Sequence, residues 1–151
     1  SVLLIYAYSI SPDKLKSISL RETAEARLKF ISTITISEVN ANFIFENMYS
    51  SVLELFHAFL LTKGLKVENH ICIGYYLRDV ISKEKLFALF DDCRFKRNGL
   101  VYYGRMMDFA TAKKSINNCQ KLVKQIQLVL DPEIRSNRFQ NQWNISQIIC
   151  Q

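Results

Sequence analysis

The segment "RFKRNGLVYYG", residues 94–104, sets three cations, an amide and two adjacent tyrosines behind "EKLFALFDDC", an apolar-faced stretch. Arginine carries a planar fork of N–H donors that fits phosphate or carboxylate bidentately. Asparagine can orient such a group, and tyrosine can stack on a base, hydrogen-bond to phosphate or donate a proton. Arg94, Lys96, Arg97, Tyr103, Arg105, Lys113 and Lys114 are the candidate nucleic-acid contacts. Arg97 also continues the apolar line Leu86, Phe90, Cys93, at steps of 4, 3 and 4. A cation in line with a core stripe calls for a carboxylate, a partner chain or an anion.

Charge is concentrated in the same place. Residues 94–124 hold eight basic side chains against one acid, Asp108, an excess of +7; the other 120 residues hold 12 basic and 13 acidic, or −1. A segregated basic segment is the electrostatic footprint of a polyanion binder. The plainer reading is a solvated lysine face on a surface helix.

Other chemistries find little support. Cys72, Cys93, Cys119 and Cys150 are spaced 21, 26 and 31 apart, with no C-x-x-C pair and only two histidines in the chain. Free, mostly buried thiols are expected, with no metal and no cofactor. The four glycines are scattered and form no phosphate-cradling loop. His57 and His70, 13 residues apart, read as ordinary histidines, His70 in the first turn of its helix. Glu46 and Glu54, on one helical face, read as partners of basic residues across a bundle. The opening "SVLLIYAYSI" is too short to span a bilayer and has no basic residue ahead of it, so residues 1–11 read as a packed N-terminal arm. "NIS" at 144–146 matches the glycosylation pattern, but nothing else in the chain speaks for secretion. A cytoplasmic protein without membrane attachment is expected.

The elements that must position these residues are helical. Only 2 prolines and 4 glycines interrupt 151 residues, and long periodic stretches predict an all-α, single-domain bundle of four to five helices over 1–130. The first helix follows "SPDK", with Ser11 as cap and Pro12 in the first turn, and carries the line Leu20, Ala24, Leu28, Ile31, Thr35. The second, about 38–62 after Ser37, has two apolar stripes and is expected at the centre, ending at Gly64. A third is predicted over about 68–80 and a fourth over about 83–98. The fifth follows Asp108 with the seam Ala112, Ile116, Cys119, Val123, Ile126, Leu130, and "DP" at 131–132 is expected to close it. Residues 131–151 then form an amide-rich tail, mobile or docking.

With these elements in order, the chain resembles the HEPN (higher eukaryotes and prokaryotes nucleotide-binding) domains over roughly residues 18–130. The resemblance rests on the helix order, "HAFLLTKGLK", "NHICIGYYL" and "KRNGLVYYG" before a last amphipathic helix. Family members carry Arg, a polar residue, a few residues and then His near the end of the penultimate helix. Arg97 and Asn98 match the first two places and Tyr102 stands at the histidine's, so the resemblance makes Arg97, Asn98 and Tyr102 the candidate catalytic residues.

The resemblance implies an up-and-down bundle that pairs as a homodimer around a basic RNA cleft. Active members cleave RNA without metal, and many act as toxins or as partners of a small nucleotidyltransferase. Tyrosine stays protonated near neutrality and is a poor base there. Losing a matched acid–base group typically costs about 10²–10⁴ in rate. Binding of RNA or a nucleotide, with turnover weakened or lost, is thus the expected function. The alternatives are a metal-independent endoribonuclease of the toxin type and a non-catalytic partner module. Five helical residues turn through about 500°, setting Tyr102 some 140° from Arg97. Convergence is therefore expected only through a helix break at Gly99 or Gly104, or from a second subunit.

Overall fold

The computed structural model describes the backbone of residues 7–9, 11–79 and 83–135 and the side chains of 11–79 and 83–128. The element order is β1 (Ala7–Ser9), α1 (Lys14–Ser32), α2 (Ala41–Thr62), β2 (Leu65–Val67), α3 (His70–Asp79), α4 (Glu84–Tyr103) and α5 (Phe109–Arg135). Helices dominate, as the scarcity of breakers requires. One departure is a two-stranded antiparallel ribbon in which Ala7 pairs with Val67 and Ser9 with Leu65. Part of the predicted N-terminal arm is thus held by a backbone ladder; residues 1–6 and 10 lie outside the described residues.

α2 is the central element. Both of its predicted stripes are buried, and Phe45, Tyr49, Val52 and Leu55 are wholly shielded from solvent. α1 and α5 pack against it, α3 packs on α4, and α4 closes on α5. Of the predicted α5 seam, Ala112, Ile116, Cys119 and Ile126 are buried and Val123 is half-buried, with Leu122 fully buried in its place; the side chain of Leu130 lies outside the described residues. Ser17 of α1 donates to the Ala58 carbonyl of α2 at 2.7 Å, so even the small polar residue at this seam is satisfied. Cys72, Cys93 and Cys119 are free and buried, and Cys93 and Cys119 face each other with sulfurs 3.9 Å apart.

Several boundaries move. Asp13, not Ser11, caps α1: its carboxylate accepts from Lys16 N–H at 2.9 Å, leaving Pro12 outside the helix. α2 begins three residues later than expected because Asn40 turns its side chain back, accepting from Ser37 N–H and donating to the Thr35 carbonyl. Thr35 consequently lies in that exposed turn and not on the α1 apolar face. α5 passes through Asp131 and Pro132 to Arg135. A proline this close to a helix end forfeits one backbone bond, which a long packed seam tolerates. Residues 136–151, most of the expected tail, lie outside the described residues.

α4 shows the largest change, and it bears on the site. The helix does not break at Gly99; it continues to Tyr103 and stops at Gly104, whose φ of 63° is left-handed. Gly104 N–H donates to the Leu100 carbonyl and Arg105 N–H to that of Gly99, closing the last turn. A β-carbon at Gly99 would meet only ordinary contacts, so nothing there requires glycine.

Candidate nucleic-acid interface

α4 delivers the candidate residues, and α2 and α3 complete the surface beside them. Asn42 of α2 fixes the chain beyond α4. Its amide donates to the Met107 carbonyl at 3.0 Å and accepts from Met107 N–H at 2.8 Å, pinning the α4–α5 loop to the core. Asp108 then opens α5, accepting from Thr111 N–H at 2.8 Å and from its hydroxyl at 3.0 Å, bonds that hold its carboxyl below the ordinary aspartate range.

Arg97 is half-buried on α4. Its Nη1 lies 3.5 Å from both the Tyr102 hydroxyl and the Asn98 side-chain oxygen. The guanidinium stands 5.6 Å from the Tyr102 ring centre and 5.9 Å from that of Tyr49, within cation–π range of both. Arg97 and Tyr102 therefore converge within one unbroken helix. The backbone angle between them is wide, but two long side chains curling over the helix end span it. Convergence needs neither a break at Gly99 nor a second subunit.

Two buried polar atoms in this cluster have no partner: Arg97 Nε and the Tyr49 hydroxyl. Burial drives the Tyr49 hydroxyl far above the ordinary tyrosine range, with the Arg97 and Arg94 charges partly offsetting the rise. Unsatisfied buried groups each cost about 1–3 kcal/mol, so such a pair marks a place that gains from a polar visitor. Among the described residues no carboxylate pairs with Arg97.

Beside this cluster runs a groove of about 310 Å³ lined by Glu68, Asn69, His70, Arg94, Asn98 and Tyr102. Asn69 accepts from Ile71 N–H at 3.0 Å and so starts α3 at His70, whose ring centre lies 6.3 Å from that of Tyr49 with the two rings tilted by 57°. His70 was passed over in the sequence. Twenty-four residues and a helix change separate it from Arg94. The available clue was its first-turn position after an asparagine able to cap the helix. Desolvation, followed by the charges of Arg97, His57 and Arg94, lowers its pKa from the ordinary imidazole value. His57 is lowered likewise, by burial and Lys66. Larger openings exist, including one of about 920 Å³ among α1, α2 and α5, but its wall is mainly apolar: Leu28, Ile31, Ile44, Met48 and Ile116. The smaller groove is where arginine, amide, imidazole and phenol meet.

The remaining candidates are not gathered there. Arg94 lines the groove while its Nε and Nη2 each reach Asp91 at 2.9 Å, and Lys96 pairs with Asp92 at 2.7 Å. Tyr103 and Arg105 stack on each other at 5.1 Å, and Lys113 lies over the Phe109 ring at 4.4 Å. Lys114 is exposed, while Lys121 and Lys124 border other grooves. Asp91 and Asp92 fall just before the basic segment and reduce its excess from +7 to +5 when counted with it. The charge is spread over several faces, with Arg94, Arg97, Asn98 and Tyr102 forming its one focused part among the described candidates.

No group of three or more His, Cys, Asp or Glu residues that would hold a metal ion occurs among the described residues, and no helix among them is long and apolar enough to cross a membrane. No family model, curated protein or solved structure matches the chain.

Proposed function

We propose that the chain binds RNA, or a nucleotide, at the α3–α4 groove in the manner of a HEPN-like, up-and-down helical domain. The observation that carries this reading is Arg97: a half-buried guanidinium without a carboxylate, its Nε unpartnered, set against two residues of the groove wall. A phosphate supplies what the cluster lacks, a negative charge and lone pairs for several N–H donors. Arg94 and Asn98 hold the phosphate from the α4 side, Asn69 and His70 face it from α3, and the exposed Tyr102 ring is placed to stack on a base. Lys96, Tyr103, Arg105, Lys113 and Lys114 contribute a weaker, non-focused attraction to the strand beyond the groove.

Pairing of two copies belongs to the same reading. Phe95, Val101, Tyr102, Tyr103 and Met106 are exposed around the end of α4 and in the following loop. Exposed apolar side chains beside a basic groove suit a homodimer whose two grooves join; a nucleotidyltransferase partner would use the same end of α4. The test is a filter-binding titration of single-stranded RNA at several salt concentrations, with sedimentation of the same samples. Binding that weakens with salt and falls about 10–100-fold in Arg97→Ala is expected. Equal affinity in wild type and Arg97→Ala rejects the reading.

A further inference from the structure

We propose that the open groove between α1, α2 and α5 is the seat of the chain's own segment 139–150, with the indole of Trp143 as its main anchor. The inference is independent of the RNA-binding reading, since this groove shares no wall residue with the one between α3 and α4. Its volume is about 920 Å³ and its floor is apolar: Leu28 and Ile31 from α1, Ile44 and Met48 from α2, Ile116 and Val123 from α5. Asn117, Gln120 and Gln127 form an amide rim on the α5 side, and Ile36, in the turn between α1 and α2, stands 38% exposed at the edge. Such an opening fits an occupant that brings large apolar side chains with amides between them.

Residues 136–151 lie outside the described residues, and their composition is that of such an occupant. From Phe139 to Gln151 no side chain is charged, and five large apolar residues, Phe139, Trp143, Ile145, Ile148 and Ile149, are interspersed with six Asn and Gln. A segment suited to remain in water has the opposite make-up, rich in charge and poor in such residues. Lys121 and Lys124 on the rim meet no like charge from it. Position and length agree. Ile44 and Met48 share this groove with Ile116, while Phe56 and Phe59 share another with Ile126, so α5 runs parallel to α2. From Arg135 back to Gln127 is about 12 Å of helix, and on to Ile116 about 16 Å more. Sixteen residues extend to about 53 Å at most, so a turn after Arg135 returns the segment along the whole groove. Residues 1–6 lack that reach. They precede β1, which pairs with β2 beyond the C-terminal end of α2. Ile44 is about 27 Å of helix from Thr62, and six residues span about 20 Å. Seated in the groove, segment 139–150 straps α1 to α5 across the face of α2.

Trp143 is the single tryptophan of the chain, so its fluorescence reports the seat directly in the full chain. Emission at the short wavelengths of a shielded indole is expected, with iodide quenching several-fold weaker than in the urea-unfolded chain and unchanged on dilution. Ile36→Asp and Val123→Asp should each move emission to longer wavelength and raise quenching, with helix content kept by circular dichroism. A nitroxide on Lys124→Cys, combined with Cys150→Ser so that Cys72, Cys93 and Cys119, all buried, are the other thiols, should quench Trp143 strongly. The same label on Lys66→Cys, at the other end of α2, should not. Both lysines are exposed, so the labels leave the core untouched. An indole open to iodide in the wild type overturns the proposal, as does shielding that both aspartate variants leave unchanged, or equal quenching by the two labels. Shielding lost on dilution, with sedimentation showing a dimer coming apart, assigns the groove to a second copy and overturns it too. The labelled chains carry no core substitution, so misfolding of an aspartate variant would not protect the proposal.

Discussion

The seam between α1 and α2 and the seam between α3 and α4 each hold a part-buried arginine, and they treat it differently. Arg27 reaches across from α1 to Glu54 of α2 at 2.9 Å, both side chains being less than one-third exposed. It answers the expectation that Glu54 pairs across the bundle. Arg97 lies beside the wall of the α3–α4 groove against the Tyr49 and Tyr102 rings and the Asn98 amide, with no carboxylate paired to it. The first arrangement balances its charge within the chain, although Arg27 Nη1 and Glu54 Oε2 still lack a well-formed hydrogen bond. In the second, the Arg97 guanidinium meets only neutral acceptors and its Nε meets none, while Glu68 on the groove wall and Asp91 at Arg94 are the nearby acids. An internal ion pair serves the fold, whereas an unmatched guanidinium beside a groove awaits something from outside.

The largest consequence is in binding. Arg97→Ala should weaken RNA affinity about 10–100-fold, since one phosphate-holding arginine is worth about 1–3 kcal/mol. Thermal unfolding of the same variant should stay close to wild type, because no internal carboxylate is stranded. Arg27→Ala should show the reverse, with RNA affinity unchanged. A lower unfolding temperature for Arg97→Ala together with unchanged affinity would make the two seams equivalent and end the contrast.

Next in size is the clamp that holds the end of the basic segment. Asn42→Ala removes both bonds to Met107 and leaves a part-buried backbone N–H and C=O without them, so a loss of about 1–2 kcal/mol is expected in a urea titration. Asn42→Asp keeps the acceptor for Met107 N–H and should recover part of it. Full wild-type stability in Asn42→Ala would mean that the α4–α5 loop is held by packing alone.

A smaller loss, about 1 kcal/mol, is expected for Arg27→Ala. The pair is only part-buried, so solvent reduces what its removal costs. The double variant Arg27→Ala, Glu54→Gln should lie closer to wild type than the sum of the single changes, by the coupling a double-mutant cycle reads out.

The difference between the seams also explains which parts of the molecule could be read in advance. Periodicity found α2, the α5 seam and the line ending at Arg97, because burial imposes a spacing on apolar residues wherever a helix packs. Capping was read less well: Ser11, Asp13 and Ser37 are all competent caps, and the choice among them depends on turns that the whole chain settles. Gly99 and Gly104 looked alike as candidate breaks, yet only Gly104 adopts positive φ. The β1–β2 ladder joins segments nearly sixty residues apart through three residues each, too few for alternation to register. His70 escaped for a related reason. Local spacing places a residue on a helix face, but only tertiary packing decides which other face it meets. The basic excess was visible as a number while its dispersal over several faces, and the pairing of Arg94 and Lys96 with Asp91 and Asp92, depended on geometry.

The finest distinction between the two arginines is electrostatic, and protons can report it. Burial and the neighbouring cations keep His70 below its ordinary pKa in the free protein, and burial with Lys66 does the same to His57. For both residues the unfolded chain binds more protons, so stability is fully present above the unfolded value near 6.5 and is lost as pH falls from there through the folded values. An anion in the groove counters the Arg94 and Arg97 charges and lets His70 return toward that ordinary value. RNA binding near pH 6 should therefore take up a fraction of a proton, measurable by calorimetry in buffers of different ionisation enthalpy. Affinity should accordingly tighten modestly as pH falls from 7 to 6. His70→Gln should remove most of that uptake, and His57→Gln little of it. Equal uptake in wild type and His70→Gln would place the bound phosphate away from the α3–α4 groove, leaving Arg97 no better matched from outside than from within.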